Sequence, residues 1–305
     1  MNEKLRGVIV PCITAFTSAE ETVDVAAMEH NFGLWNTTGV AGYMVLGTNG
    51  EFKNVNDDES RTVVEVAARC KDDKTLIVGA GRESTRNTIE FIDSISPWHD
   101  QIDYISLITP HYFAKLMDAQ ALTDYYTAVA DASPVPILLY VIPGQANDVV
   151  VPPAVLSTLA EHPNIAVVKD TSPSMMVDYM LAAGDRNEFD VLAGSLNNIM
   201  TALAFGGLGG VVSAANYLPD ECAKLTDLYF NHSPEVARKY YSLLQKVAKA
   251  GGGKRGVASV KAAMNARGYR AGVPRRPLQP VTDVQDAEIR TALTAGLEAL
   301  HSFSA

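Results

Sequence analysis

The chain has 305 residues, 47% hydrophobic and 20% charged, which supplies a sizeable core and argues against a disordered polypeptide. Lys and Arg number 25 against 35 Asp and Glu, a formal charge of −10, and no basic face stands out; nucleic acid and anionic membranes are poor partners for such a surface. The three cysteines, Cys12, Cys70 and Cys222, lie far apart with no CxxC pair, which favours reduced thiols over a disulfide framework or a zinc ribbon.

The apolar run before Pro11 is too short for a secretory signal, and Glu3, Glu20 and Glu21 are foreign to a mitochondrial presequence. No apolar run approaches the roughly 18 residues of a membrane span. A soluble, cytoplasmic protein is expected. Short β-rich apolar runs follow at residues 8–13, 43–46, 75–78, 104–108, 136–140, 165–169, 190–193 and 210–213. Each carries bulky side chains on both faces, the pattern of strands buried on both sides of a parallel sheet.

Segments with helical spacing lie between them. Asp57-Asp58-Glu59-Ser60 opens one with acids at the positive end of its dipole, and Val63, Val64, Val66 and Ala67 supply its apolar face. Residues 118–132 and 152–160 read likewise, the second with proline in its first turn, and 198–205 stops at Gly206-Gly207. Strand starts recur about every 20 to 35 residues, one βα unit each. Eight such units predict an α/β protein of the (β/α)8 TIM-barrel class. Beyond them only helical patterns remain, at 234–250, 257–266 and 283–302, with Gly251-Gly252-Gly253 separating the first two. The expected organisation is a catalytic barrel over 1–232 and a helical extension over 233–305 packed on it.

Barrels of this kind place their active sites at the C-terminal ends of the strands. Those ends carry Gly47-Thr48-Asn49-Gly50-Glu51, Thr109-Pro110-His111-Tyr112, Tyr140, Lys169-Asp170-Thr171, Gly194-Ser195 and Ser213. Lys169 follows the apolar run Ile165-Ala166-Val167-Val168. A buried ammonium loses basicity, and the neutral amine can attack a ketone to form a Schiff base. A lysine salt-bridged at a strand end, or snorkelling to the rim, is the competing reading. Tyr140 ends the preceding strand; residues level on neighbouring strands are about 4.8 Å apart, so its phenol can shuttle protons for the lysine. Alone, it is equally a core tyrosine. The Gly47–Glu51 loop offers backbone N–H groups and the Thr48 hydroxyl to a carboxylate, although such a run is often only a turn.

Other motifs are weaker. Gly79-Ala80-Gly81-Arg82-Glu83-Ser84 lacks the third glycine of a dinucleotide fingerprint, and Gly253-Lys254-Arg255 lacks the glycine (Ala248 stands there) and the Ser/Thr of a phosphate loop. The six histidines show no ligand spacing, so no catalytic metal is expected.

Taken as a set, Gly47–Glu51, Thr109–Tyr112, the Tyr140-Val141-Ile142-Pro143-Gly144 turn, Val168-Lys169-Asp170 and Leu192-Ala193-Gly194-Ser195 resemble the dihydrodipicolinate synthase / N-acetylneuraminate lyase family of Schiff-base aldolases. The resemblance implies a lyase, usually a homotetramer (a dimer of dimers), that binds pyruvate or another 2-oxo acid covalently and needs no organic cofactor. It makes Lys169 the imine lysine and Tyr140 the proton relay. Thr48 and Asn49 become carboxylate binders, with Thr48 also in the relay, and Tyr112 reaches across a dimer interface. Gly50 belongs to the same cradle, and Thr171, Gly194, Ser195 and Ser213 are candidates for the rest of the substrate, with Arg82 considered for a second carboxylate.

Departures from the lysine-pathway synthases concern the substrate. Gln145 stands where those enzymes carry an arginine, and an amide cannot give the bidentate, charge-assisted pairing. Asp57 and Ser60 stand where some members carry inhibitor-binding histidines. Gly-Thr-Asn-Gly-Glu-Phe52, Glu83-Ser84-Thr85, His162-Pro163-Asn164-Ile165 and Pro277-Leu278-Gln279 are closer to the 4-hydroxy-2-oxoglutarate aldolase branch. Cleavage or formation of a short 4-hydroxy-2-oxo acid, with pyruvate or glyoxylate as product or donor, is the expected reaction. 4-Hydroxy-tetrahydrodipicolinate synthase, another 2-oxo-3-deoxy acid aldolase or dehydratase, and a catalytically silent 2-oxo acid binder are the alternatives.

Overall fold

The apolar runs are strands: β1 (Gly7–Pro11), β2 (Gly42–Val45), β3 (Thr75–Gly79), β4 (Tyr104–Ile108), β5 (Ile137–Val141), β6 (Ile165–Asp170), β7 (Asp190–Ala193) and β8 (Gly209–Val211). They close a parallel barrel in chain order, as the βα rhythm predicts. The computed structural model describes residues 3–184, 189–252 and 255–303. All five residues of β3, of β4 and of β5 are buried, which is why these strands read as unbroken apolar runs rather than alternating ones.

The helices are α1 (Val25–Asn36), α2 (Asp57–Cys70), α3 (Thr85–Ser94), α4 (Ala119–Ala132), α5 (Pro153–Leu159), α6 (Met176–Ala183), α7 (Ile199–Ala204), α8 (Pro219–Asp227), α9 (Pro234–Gly251), α10 (Val257–Ala266) and α11 (Asp283–His301). Local chemistry starts them. Asn56 caps α2 in a reciprocal box with Glu59, Asp118 caps α4 through Ala121 N, and Ser233 caps α9 ahead of Pro234. No individual helix was expected at α1, α3, α6 or α8. In α1 the buried face of Ala27, Met28, Asn31, Phe32 and Trp35 includes a polar Asn31, and the exposed residues include Gly33, so the apolar contrast in its sequence is weak.

The chain divides into two compact units, one of residues 75–211 with the N-terminal turn, the other of residues 7–74 with those from 212 onward. The first holds β3–β7, the residues of β8 and α3–α7. The second holds β1, β2, α1, α2 and the C-terminal helices. Within the second, Phe32, Trp35 and Tyr43 form an edge-to-face cluster, and Trp35 Nε1 donates to the Asn216 carbonyl at 3.1 Å. Gly296 lets α11 approach α9, since a Cβ there would lie 2.7 Å from Val247 Cγ2.

Several boundaries moved: the first strand, expected over 8–13, ends at Pro11, and the second, expected over 43–46, ends at Val45. Ser213, expected in the last strand, opens a 3-10 turn over Ser213–Asn216, because β8 ends at Val211. Gly251, expected in the break after the first C-terminal helix, is the last residue of α9; a Cβ there would meet the Tyr217 ring at 2.3 Å, so only glycine fits. Gly253 and Lys254, named for that break and for the rejected phosphate loop, lie outside the described residues. No helix among the described residues is long and apolar enough to cross a membrane.

Candidate active site

Tyr140 and Lys169 are register partners across β5 and β6, in a row that runs Ile108, Tyr140, Lys169, Leu192 from β4 to β7. An irregularity makes them so. Ile137 pairs with Ile165, but Leu138 pairs with Val167, so Ala166 is bulged out of the ladder. Were Ala166 paired within the ladder instead, Tyr140 would sit level with Val168, and Lys169 would turn to the other face of the sheet. Lys169 is 3% exposed and Tyr140 is 5% exposed. Lys169 Nζ lies 3.7 Å from the centroid of the Tyr140 ring. Burial pushes the pKa of Lys169 down to about 7 from the usual 10.5. At neutral pH about half of such a lysine is free amine, against fewer than one in a thousand for an exposed one.

The next residues of the same unit are drawn together by a close approach of backbones. Gly194 N donates to the Asp170 carbonyl at 2.6 Å, and Thr171 N to the Val141 carbonyl at 2.9 Å. A Cβ on Gly194 would sit 2.1 Å from Thr171 Oγ1, so Thr171 and Gly194 are packed against each other. Asp170 is fully buried, its Oδ1 accepts from Ser172 N at 2.9 Å, and desolvation raises its pKa. Ser195 is half-buried, and its carbonyl accepts from Asn198 N at 3.2 Å.

In the second unit the loop after β2 gathers Thr48, Asn49, Gly50 and Ser213. Thr48 and Asn49 are half-buried, and Asn49 Nδ2 donates to Ser213 Oγ at 3.0 Å. The Gly50 carbonyl accepts from Thr14 Oγ1 at 2.7 Å, and a Cβ on Gly50 would press on three backbone atoms at 3.2–3.3 Å. The first unit therefore groups Tyr140 with Lys169 and Thr171 with Gly194, and the second groups Asn49 with Ser213.

Tyr112 joins neither group. It is 76% exposed, with Phe113 edge-on at 5.0 Å. Its backbone is fixed by Glu83, whose Oε2 accepts from both His111 N and Tyr112 N at 2.9 Å. Glu83 was not singled out for this role; the sequence marks it only within the Glu83-Ser84-Thr85 string and by its place before the α3 cap Ser84. Arg82 stacks on Phe91 at 3.9 Å and donates to the Ala80 and Gly81 carbonyls, so its guanidinium is engaged with α3 and its own strand end. Gln145 is exposed in the turn Pro143–Gln145. Among the described residues, no three His, Cys, Asp or Glu side chains gather as a metal-binding group.

Residues 4–296 match the dihydrodipicolinate synthetase family. The chain belongs to that family. A relative from Emericella nidulans named "Probable 4-hydroxy-2-oxoglutarate aldolase, mitochondrial" is 33% identical, over 96% of this chain and 95% of its own length. A 4-hydroxy-tetrahydrodipicolinate synthase from Exiguobacterium sp. is 30% identical over 84% of this chain and 86% of its own. The crystal structure of dihydrodipicolinate synthase from Thermotoga maritima superposes with a TM-score of 0.87 at 26% identity, covering 97% of this chain and 99% of that one. The dihydrodipicolinate synthetase family barrel with its C-terminal helices is thus the fold of this chain, and the protein is a carbon–carbon lyase of the aldolase type.

Proposed function

We propose that the protein is a Schiff-base aldolase that cleaves or forms a short 4-hydroxy-2-oxo acid, with pyruvate or glyoxylate as product or donor. The observation that carries this reading is the buried Lys169 amine 3.7 Å from the Tyr140 ring, on neighbouring strand ends. The 33% identity to a relative named for 4-hydroxy-2-oxoglutarate favours that substrate class.

In the cleavage direction the neutral Lys169 amine adds to the C2 ketone, and loss of water leaves a protonated imine. Tyr140 relays the protons of that step with Thr48, then accepts the proton of the C4 hydroxyl. As the C4–O bond becomes a carbonyl, the C3–C4 pair flows into the imine and the aldehyde departs. Protonation of the enamine at C3 and hydrolysis return the lysine and release pyruvate. Thr48, Asn49 and the Gly50 backbone take the 2-oxo acid carboxylate; Thr171, Gly194, Ser195 and Ser213 face the remainder. The imine is the electron sink, so no organic cofactor or metal takes part.

The organisation that goes with this reading is a catalytic barrel over 1–232, a helical extension over 233–305, and a cytosolic homotetramer built as a dimer of dimers in which Tyr112 completes a neighbouring site. The exposed Tyr112, Phe113 and Leu116 (76, 63 and 68%) supply an apolar surface suited to such an interface.

Borohydride reduction in the presence of pyruvate, read by peptide mass spectrometry, tests the chemistry. A reduced pyruvyl adduct on Lys169, absent in Lys169→Ala, is expected; aldol turnover undiminished in Lys169→Ala would end the reading. The 30% identity to a 4-hydroxy-tetrahydrodipicolinate synthase supports a second reading, condensation of pyruvate with aspartate semialdehyde. Gln145 in place of a guanidinium weighs against it. Turnover of 4-hydroxy-2-oxoglutarate well above that of the semialdehyde is the expected result, and the reverse ranking would favour the synthase.

A further inference from the structure

Glu51, at the end of the loop after β2, and Lys261, in the middle of α10, form an ion pair of 2.6 Å with both side chains 1% exposed. At such depth, desolvation offsets much of the attraction, so a buried pair is poor evidence of added stability and better evidence of a conformation that is being fixed. The conformation here is unusual. Glu51 lies at φ 53°, ψ 38°, and Leu46 at φ 56°, both in the left-handed region that a Cβ disfavours. Between these two strained residues run Gly47, Thr48, Asn49 and Gly50.

The Glu51 carboxylate is held from several sides. One oxygen faces Lys261; the other accepts from Arg275 N at 3.0 Å and from Asn54 Nδ2 at 3.3 Å. Lys261 Nζ also donates to the Val273 carbonyl at 3.0 Å and stands 4.5 Å above the Phe16 ring. Arg275 covers the same ring at 4.2 Å and pairs with Glu59 on α2 at 2.5 Å. Lys261 and Arg275 thus balance Glu51 and Glu59 around one aromatic ring, and every anchor on the Glu51 carboxylate except Asn54 comes from α10 or the segment that follows it.

We infer that Glu51 and Lys261 are positioning residues: their pair clamps the left-handed turn that closes the Gly47–Gly50 loop and thereby aims Thr48 and Asn49 at the substrate carboxylate. The carboxylate role of the loop rests on the proposed Schiff-base reaction; the clamp itself rests on the geometry above. The C-terminal helices then become part of the frame of the site. Because the clamp acts on a group that holds substrate and transition state alike, loosening it weakens binding more than it slows chemistry.

The test uses Glu51→Gln and the charge-neutral double variant Glu51→Gln/Lys261→Met, which keeps the comparison open should a single substitution prevent folding. Hydrogen exchange over residues 44–56 reads the clamp, through the Glu51, Phe52 and Asn54 amides that bond within the loop. Pyruvate-dependent borohydride trapping on Lys169 reads its consequence. Expected are faster exchange confined to this loop and a rise of about tenfold in half-saturating pyruvate, with the saturated trapping rate changed less than about threefold. Wild-type exchange and half-saturation in the folded double variant would overturn the inference. An equal fall in trapping rate with no change in half-saturation would also overturn it. If the wild-type protein forms no adduct, the Schiff-base reading fails and the carboxylate-aiming role fails with it, while the exchange arm alone decides the clamp.

Discussion

A lysine at 3% exposure destabilises the folded chain whenever it is protonated, and burial accordingly lowers the pKa of Lys169. Its folded pKa of about 7 lies below the unfolded 10.5, so the folded state carries fewer protons between those values and stability rises with pH across that window. Lys169→Met therefore stabilises the protein by about 4–5 kcal/mol below pH 7, and the gain shrinks toward zero as pH approaches 10.5. Denaturant unfolding of both proteins at pH 6.5 and pH 9 checks this. On the proposed mechanism the same deprotonation makes the nucleophile, so imine trapping with pyruvate is expected to rise from pH 6 to pH 8 with an inflection near 7; a profile flat through that range would contradict the shift. Lys169 and Tyr140 were legible in the sequence because strand-end position and adjacent strands are local information. Their mutual register was not, since nothing in Ile165-Ala166-Val167 announces that Ala166 is the residue left out of the ladder.

The elements around the site are fixed by close approaches that tolerate no side chain. Gly194, just beyond β7, is the tightest: its missing Cβ would overlap Thr171 Oγ1 at 2.1 Å and the Asp170 carbonyl at 2.7 Å. Gly194→Ala is expected to cost about 1–3 kcal/mol by overpacking and to lower turnover by displacing the chain that follows Lys169. Unchanged unfolding midpoints and turnover would show that the two strand ends separate freely. The helix starts were readable wherever the cap precedes a periodic run, as with Asn56 and Glu59 of α2 or Ser233 and Pro234 of α9. The Glu51–Lys261 pair was not, because its members are local to nothing but the folded chain: one looks like a loop acid and the other like a helix-surface lysine.

At the scale of the molecule, the barrel class follows from the repeat of strand and helix, and membership of the dihydrodipicolinate synthetase family over residues 4–296 agrees with the motifs at the strand ends. Assembly is less legible, because a single chain records an interface only as apolar side chains left in water. Tyr112, Phe113 and Leu116 are such a group. Sedimentation of the wild-type protein is expected to give four chains per particle, and Phe113→Glu a smaller species with reduced aldol turnover. Full turnover in that smaller species would remove Tyr112 from any neighbouring site.

The bulge at Ala166 has an evolutionary edge. A substitution that drew Ala166 back into the ladder would leave β6 long enough to pair, yet it would turn the lysine to the other face of the sheet and set Val168 level with Tyr140. Descent from such an event yields a chain that still spells Val-Lys-Asp and still resembles its relatives, and that, on the proposed mechanism, has no nucleophile beside Tyr140. On the proposed mechanism, then, the ladder register at Ala166 decides whether the Val-Lys-Asp motif can work at all.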